Sequence, residues 1–309
     1  MSSAVILSRY PELYSSQRLL AALQERGVQA QILQPELCAL SLENGHFHLH
    51  YAGKPLAPPA IVLPRFGSPL TQLGQRLLQH FMVLGSVLLN RGEALLRARD
   101  KFLSLQLLAA AGLPVPDTWY LADAAAAEQA LAKLGVPVVS KLLAGSQGVG
   151  VNLAESEGGA RALVDTLLLL QHEVLLQRFL PGREDYRIIV LAGEVLAAMR
   201  RRAGAQDFRS NLHRNGTAEA IPLDHLDSRL QNLAITACAA LGLDFAGVDL
   251  MADGHGGYTL LELNPSPSLQ GIETVSGVDI AARVAEFLIS RCAAASGAVG
   301  QQSTPAAAP

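Results

Sequence analysis

The chain has 309 residues, half of them apolar, with 24 Lys and Arg against 27 Asp and Glu for a formal charge of −3. That length suits one large domain or two to three modules, and the charge gives no basic footprint for a nucleic-acid duplex. No uncharged apolar run approaches the ~20 residues of a membrane-spanning helix, and the apolar stretch at Ala4–Leu7 is too short for a signal peptide. Cys38, Cys238 and Cys292 are odd in number and widely spaced, so neither a disulfide framework nor a metal pairing is expected, and a reducing cytoplasm is.

Along the chain, residues 4–8 read as a buried strand and 15–26 as an amphipathic helix, with Leu19, Leu20 and Leu23 on one face before a stop at Gly27. Strands are expected at 29–33, 60–64 and 86–90, with a helix over 70–84. This alternation predicts an α/β unit with a parallel sheet for residues 1–96. A helix over 97–111, ended by Gly112 and followed by Pro114 and Pro116, opens the second domain, residues 97–292. Its expected elements are strands at 118–121, 136–143 and 173–179, helices at 124–134, 158–170 and 226–241, and a hairpin over 186–200 turning at Ala192-Gly193-Glu194. Residues 293–309 are Ala, Gly, Ser, Gln and Pro without periodicity, and a disordered tail is expected there.

The most informative segment is Gly247-Val248-Asp249-Leu250 with Leu260-Leu261-Glu262-Leu263-Asn264-Pro265. The Asp253–Gly257 stretch between them reads as a tight turn, giving an antiparallel hairpin. Opposing Leu250 to Leu261 sets Asp249 across from Glu262, and the period-two alternation adds Asn264 to that face. Val248, Leu250, Leu261 and Leu263 then point into a core. Two carboxylates and an amide oxygen suit a hard Mg²⁺ or Mn²⁺ ion.

Two further clusters suit anionic substrates. Lys141 ends an apolar strand, and Gly145-Ser146-Gln147-Gly148-Val149-Gly150 follows at once. Such a loop can turn successive N–H groups on a phosphate, although its glycine order matches neither a P-loop nor a dinucleotide fingerprint. Arg200, Arg201, Arg202, Arg209 and Arg214 fall within fifteen residues, mixed with Ser and Asn, and guanidinium pairs with phosphate or carboxylate in a planar fork.

In this order the pieces resemble the ATP-grasp superfamily, specifically the RimK-type glutamate ligases, from the N-terminus to about Arg291. The resemblance implies an ATP-grasp fold of two α+β subdomains with ATP between them, preceded by an N-terminal α/β pre-ATP-grasp domain. It implies that Lys101 and Lys141 touch the phosphates beneath a lid containing Gly145, Ser146, Gln147 and Gly148. The backbone at Arg178-Phe179 would hold adenine, Asp185 the ribose, and Arg209, Ser210 and Asn211 further polar groups of ATP. Asp249, Glu262 and Asn264 match the family's metal ligands, for Mg²⁺ or Mn²⁺, with two ions expected. The sequence departs from the pattern at Arg178 (Glu in the family), at Ser268 and Gln270 (Gly and Glu), and at Arg200 (acidic).

The expected activity is ATP-dependent joining of an amino acid, glutamate by resemblance, to an amine through an acyl phosphate. Arg202 is expected to orient the activated acyl group while Arg209, the other catalytic candidate, faces the nucleotide. The acceptor could be a protein C-terminus, a peptide or a small molecule, and a homo-oligomer is expected. A small-molecule kinase and a non-catalytic nucleotide-binding module are the rival readings. His46, His48 and His50 alternate and could hold zinc, but a solvated strand face is the better reading.

Overall fold

A computed structural model of the chain describes residues 3–143, 150–182, 184–202 and 216–301, with side chains to residue 295. Two compact units emerge, one built from residues up to 92 with 268–270 and 279 onward, the other from 93–267 with 271–278.

The first unit opens with β1 (Ser3–Leu7), α1 (Tyr14–Glu25) and β2 (Gln29–Leu33). The antiparallel strands β3 (Cys38–Glu43), β4 (His46–Tyr51) and β5 (Lys54–Pro55) follow, then β6 (Ile61–Pro64), α2 (Thr71–Val83) and β7 (Val87–Leu88). Strands β2-β1-β6-β7 form a wholly parallel sheet, as the alternation predicts. Ala4–Leu7 and Ile61–Leu63 are buried on both faces, which is why they read as continuous apolar runs. The sheet of β3, β4 and β5 is a feature the sequence reading did not separate. Its signal is Asn44-Gly45, both at positive φ (50° and 81°), the pair that a two-residue hairpin demands. His46 and His48 lie exposed on β4.

The second unit begins with α3 (Gly92–Arg99) and α4 (Lys101–Ala110), two helices where a single one over 97–111 is expected. Asp100 makes the break. Its carboxylate accepts the N–H groups of Phe102 and Leu103 and so caps α4, competing with the continuous ladder. Next come β8 (Thr118–Leu121), α5 (Ala125–Leu134), β9 (Val138–Leu142), β10 (Val151–Ala154), α6 (Glu157–Leu169) and β11 (Val174–Arg178). Their sheet runs β10-β9-β11-β8, with Leu121, Val138 and Leu176 packed on Ala130, Leu131 and Val164 of α5 and α6.

A five-stranded antiparallel sheet follows, made by β12 (Glu184–Leu191), β13 (Glu194–Arg202), β14 (Thr217–Ile221), β15 (Phe245–Ala252) and β16 (Tyr258–Asn264), in the order β14-β13-β12-β15-β16. α7 (Ser228–Leu241), closed by Gly242 at φ 73°, lays Leu230, Ala234, Ala237 and Cys238 on one face of it. Ile188, Val190, Val248, Leu250, Leu260 and Leu263 meet it there, each burial stabilising by about 1.5–3 kcal/mol. Burial pushes the Cys238 thiol up to about 12, so it is the inert packing residue its neighbours in the sequence suggest.

α8 (Gln270–Ser276) and α9 (Ile280–Gln301) complete the chain. α9 runs on past the start of the expected tail, through Ala293, Ala294 and Ala295 to Gln301, and alanine is the best helix former even without an apolar stripe. Residues 302–309 lie outside the described residues. Arg18 and Arg26 of α1 pair with Asp279 and with Glu286 of α9, at 2.8 and 2.7 Å. No helix among the described residues is long and apolar enough to cross a membrane.

Candidate functional site

The face of the five-stranded sheet away from α7 carries the polar groups. Asp249 stands opposite Glu262, and Asn264 opposite Gly247, so the three oxygen-bearing side chains share this face as the hairpin predicts. One detail differs. The register slips beside Asp249, leaving Leu250 opposite Leu260 rather than Leu261. Leu260 is fully buried in the core, whereas Leu261 is the extra, half-buried residue of a β-bulge. Bulges bend a strand and re-aim its side chains, and this one adjoins the Asp249–Glu262 pair.

Around Asp249 the strand periodicity gathers a ladder of charges the sequence reading missed. Arg187 of β12 sits in register with Asp249 and forks onto it, Nε to Oδ1 at 2.7 Å and Nη2 to Oδ2 at 2.6 Å. Arg201 of β13 forks onto Asp185 at 2.5 and 2.8 Å and reaches Asp249 at 3.0 Å. All four side chains are largely buried. Burial works against the Asp249 carboxylate, yet the Arg187 and Arg201 guanidinium groups outweigh it and hold the group below the usual carboxylate range. Burial likewise opposes the Arg201 charge, and Asp249 with Asp185 overcomes it, raising the guanidinium above its ordinary value. Buried ion pairs seldom add net stability over apolar residues of the same volume, so three of them on one sheet face point to chemistry.

Two cations approach from the other sheet and from α4. Lys141, at the end of β9, makes no hydrogen bond or ion pair among the described residues. Burial lowers its pKa, Glu262 and Asp249 counter that, and the Lys101 charge adds to the lowering. Lys101 donates to the carbonyls of Leu142 and Leu143, at 3.1 and 2.9 Å, tying α4 to the end of β9. Its ammonium is also lowered by burial and supported by Glu262 and Asp100. Lys101, Lys141, Asp249 and Glu262 therefore form one electrostatic cluster.

Two further expected residues are placed as follows. Arg202 does not face Asp249. Alternation puts it on the opposite face, half exposed and paired with Glu184 at 2.5 Å. The guanidinium groups beside Asp249 are those of Arg187 and Arg201. Asp185, which the resemblance sets at the ribose, is buried and its carboxylate is engaged by Arg201. Arg178, where the resembled family carries Glu, turns away from the strand end. It pairs with Asp117 at 2.9 Å and donates to the carbonyls of Leu134 and Lys133, closing the end of α5. Phe179 is half-buried beside it. Gly145, Ser146, Gln147, Gly148, Arg209, Ser210 and Asn211 lie outside the described residues.

The two arginines should separate experimentally. Arg202→Lys disturbs an exposed pair worth about 0–1 kcal/mol and should leave denaturant unfolding and phosphate release nearly unchanged. Arg201→Lys cannot reproduce the fork to Asp185 and should cost about 1.5–3 kcal/mol with a clear fall in turnover. The reverse order would return the role to Arg202.

The donor set fits a hard divalent cation. Glu262 is exposed and has no partner among the described residues, and the Asn264 Oδ1 accepts only the Ser266 N–H, at 3.0 Å. Asp249 offers a remaining lone pair behind its three guanidinium contacts.

Residues 98–288 match the model of the RimK-like ATP-grasp domain, and residues 3–95 that of the RimK PreATP-grasp domain. The chain is 40% identical over 286 residues to a probable alpha-L-glutamate ligase of Thioalkalivibrio sulfidiphilus, covering 92% of this chain and 94% of that one. It is 41% identical over 287 residues to the ribosomal protein bS6--L-glutamate ligase of Salmonella schwarzengrund, with the same coverage of 92% and 94%. Among solved structures, the ATP-grasp ligase PsnB, complexed with a phosphomimetic variant of a minimal precursor, Mg and ADP, superimposes with a TM-score of 0.72. That match covers 94% of this chain and 98% of PsnB at 24% identity, a likeness of fold.

Proposed function

The chain belongs to the RimK-like ATP-grasp family, with a pre-ATP-grasp domain ahead of the ATP-grasp domain, and on that premise we propose that it joins glutamate to a protein or peptide acceptor. It is an ATP-dependent ligase that forms an amide C–N bond and releases ADP. The observation that supports the reading is the cluster of Asp249, Glu262, Lys101 and Lys141, which combines oxygen donors for a cation with ammonium groups for phosphates.

In this reading a carboxylate oxygen of one substrate attacks the γ-phosphorus of ATP. The bond to the bridging oxygen breaks, ADP departs, and an acyl phosphate remains. The amine of the second substrate attacks the acyl carbon, loses a proton, and expels inorganic phosphate. Such transfers need charge neutralisation and alignment more than a protein nucleophile, which suits a cluster of lysines, arginines and carboxylates. Lys101 and Lys141 neutralise phosphate charge, and the Lys141 ammonium makes no hydrogen bond or ion pair among the described residues. Arg187 and Arg201 keep Asp249 ionised and aimed. Glu262, Asn264 and Asp249 would hold Mg²⁺, one or two ions, which would supply further neutralisation of phosphate charge. The cytoplasm is the compartment we assign, in keeping with the absence of a disulfide among Cys38, Cys238 and Cys292.

A matrix of amino acids against candidate acceptors in Mg-ATP tests this, reading phosphate release and product mass together. Glutamate with a peptide or protein acceptor should give both phosphate and a mass increase of one or more glutamyl units. Phosphate release with no new amide product in any combination would remove the ligase assignment, and a product only with another amino acid would remove glutamate.

A further inference from the structure

Gly247 is buried in β15, the strand that carries Asp249. Its φ does not lie in the positive region that favours glycine, so backbone conformation does not call for it. Glycine inside a strand weakens it, because it packs no side chain and loses more entropy on ordering; what it offers is room for a close approach. β15 runs between β12 and β16, and Gly247 is in register with Ile189 on one side and Asn264 on the other. Alternation puts this row on the same sheet face as the neighbouring row of Arg187, Asp249 and Glu262.

Pro267 takes up that room. A Cβ built on Gly247 would sit 3.0 Å from Pro267 Cβ, 3.8 Å from its Cγ and 3.5 Å from Ile189 Cδ1. The first of these is tighter than ordinary contact, so the buried proline ring lies where a side chain of residue 247 would stand. The ring cannot rotate aside, because it closes on its own backbone and fixes φ. Relief would have to come from the backbone of residues 264–267, and that segment is stiff. Pro265 and Pro267 are both buried, and each also restricts the residue before it, Asn264 and Ser266, to extended conformations. The Ser266 N–H donates to Asn264 Oδ1 at 3.0 Å, which ties the carboxamide to the same segment. A displaced Pro267 therefore carries the Asn264 oxygen with it.

We propose that Gly247 is a positioning residue of the cation site: by leaving space for Pro267, it sets where Asn264 presents its amide oxygen beside Asp249 and Glu262. The proposal rests on the reading of those three side chains as cation ligands. Gly247 itself touches neither cation nor nucleotide and acts only through the proline seat. Small displacements matter at such a site, because Mg²⁺ demands near-ideal octahedral geometry at about 2.0–2.1 Å.

Electron paramagnetic resonance of Mn²⁺ tests this, with the ion titrated into the full chain saturated with a non-hydrolysable ATP analogue and into the analogue alone as the blank. Gly247→Ala should weaken Mn²⁺ roughly 10- to 100-fold, the scale on which loss of a group that orients a metal ligand is felt. Pro267→Gly, which removes the seated ring and frees φ, should weaken Mn²⁺ comparably. The double variant should bind no worse than the poorer single one, because both changes act through one contact. Val248→Ala is the control: its side chain packs in the core beneath α7, so it should lower the unfolding midpoint and leave Mn²⁺ affinity unchanged. A glycine needed only for stability would not give that split. If Gly247→Ala does not fold, Pro267→Gly decides. Unchanged Mn²⁺ affinity in either folded variant, an equal loss in Val248→Ala, or losses that multiply in the double variant overturns the positioning role and leaves the cation reading intact. Failure of the unaltered protein to hold Mn²⁺ beyond the blank removes the cation reading and the positioning role together.

Discussion

Replacing Asp249 with alanine should abolish turnover and also cost about 3–5 kcal/mol of stability, the usual consequence of removing one partner from a buried ion pair. Arg187 contacts only Asp249 among the described residues and is 14% exposed, so the substitution strands its guanidinium. Arg201 keeps Asp185 but loses its second carboxylate. The double variant Asp249→Leu with Arg187→Met should recover much of the stability, because apolar residues of similar volume replace a buried pair well. It should recover no turnover. Denaturant unfolding alongside phosphate release separates the two effects, and a double variant that regains activity would sink the site assignment. The dependence on pH follows from the depressed carboxylate. Its contribution is fully present above the unfolded carboxylate value near ~3.9 and is lost as pH falls through the lower folded value. Asp249→Asn should therefore flatten the stability profile on the acid side, and an unchanged acid limb would show that the arginines do not hold Asp249 ionised.

Much of this was legible in the sequence because strand alternation is strict. The pairing of Asp249 with Glu262 follows from two apolar runs and a turn, with no knowledge of neighbouring strands. The bulge at Leu261 was not legible, since Leu250-Leu260 and Leu250-Leu261 bury equally apolar pairs and only the packing beneath α7 decides between them. The same alternation held the answer for the arginine cluster. Arg200, Arg201 and Arg202 are contiguous, so neighbours must face opposite sides of β13, and composition alone cannot say which side holds the carboxylates. Only the register with β12, which sets Asp185 against Arg201 and Glu184 against Arg202, resolves it. Arg187 escaped because it stands alone in an apolar strand, and its partner is 62 residues away.

Glu262→Ala should show the opposite pattern from Asp249→Ala, losing turnover with almost no change in stability. Its side chain is exposed and makes no hydrogen bond or salt bridge among the described residues, so truncation breaks no direct contact and removes only a longer-range support of Lys101 and Lys141. Changes of that kind usually stay within about 0.5 kcal/mol. Turnover should nonetheless fall by roughly 10²- to 10³-fold or more, the scale on which removing one group that stabilises transition-state charge is felt. Glu262→Gln, which keeps an oxygen donor but not the charge, should fall between the two proteins. A second consequence involves the lysines. Burial lowers the Lys101 and Lys141 ammonium groups, and Glu262 is the first of the charges that counter it. Without that carboxylate both should release their protons at lower pH, so nucleotide affinity in Glu262→Ala should begin to decline at a lower pH than in the unaltered protein. Calorimetric titration with the ATP analogue across the alkaline range reads that shift directly. Full activity of Glu262→Ala in Mg²⁺, or an identical alkaline profile for the two proteins, would place Glu262 outside the cluster that handles the phosphates.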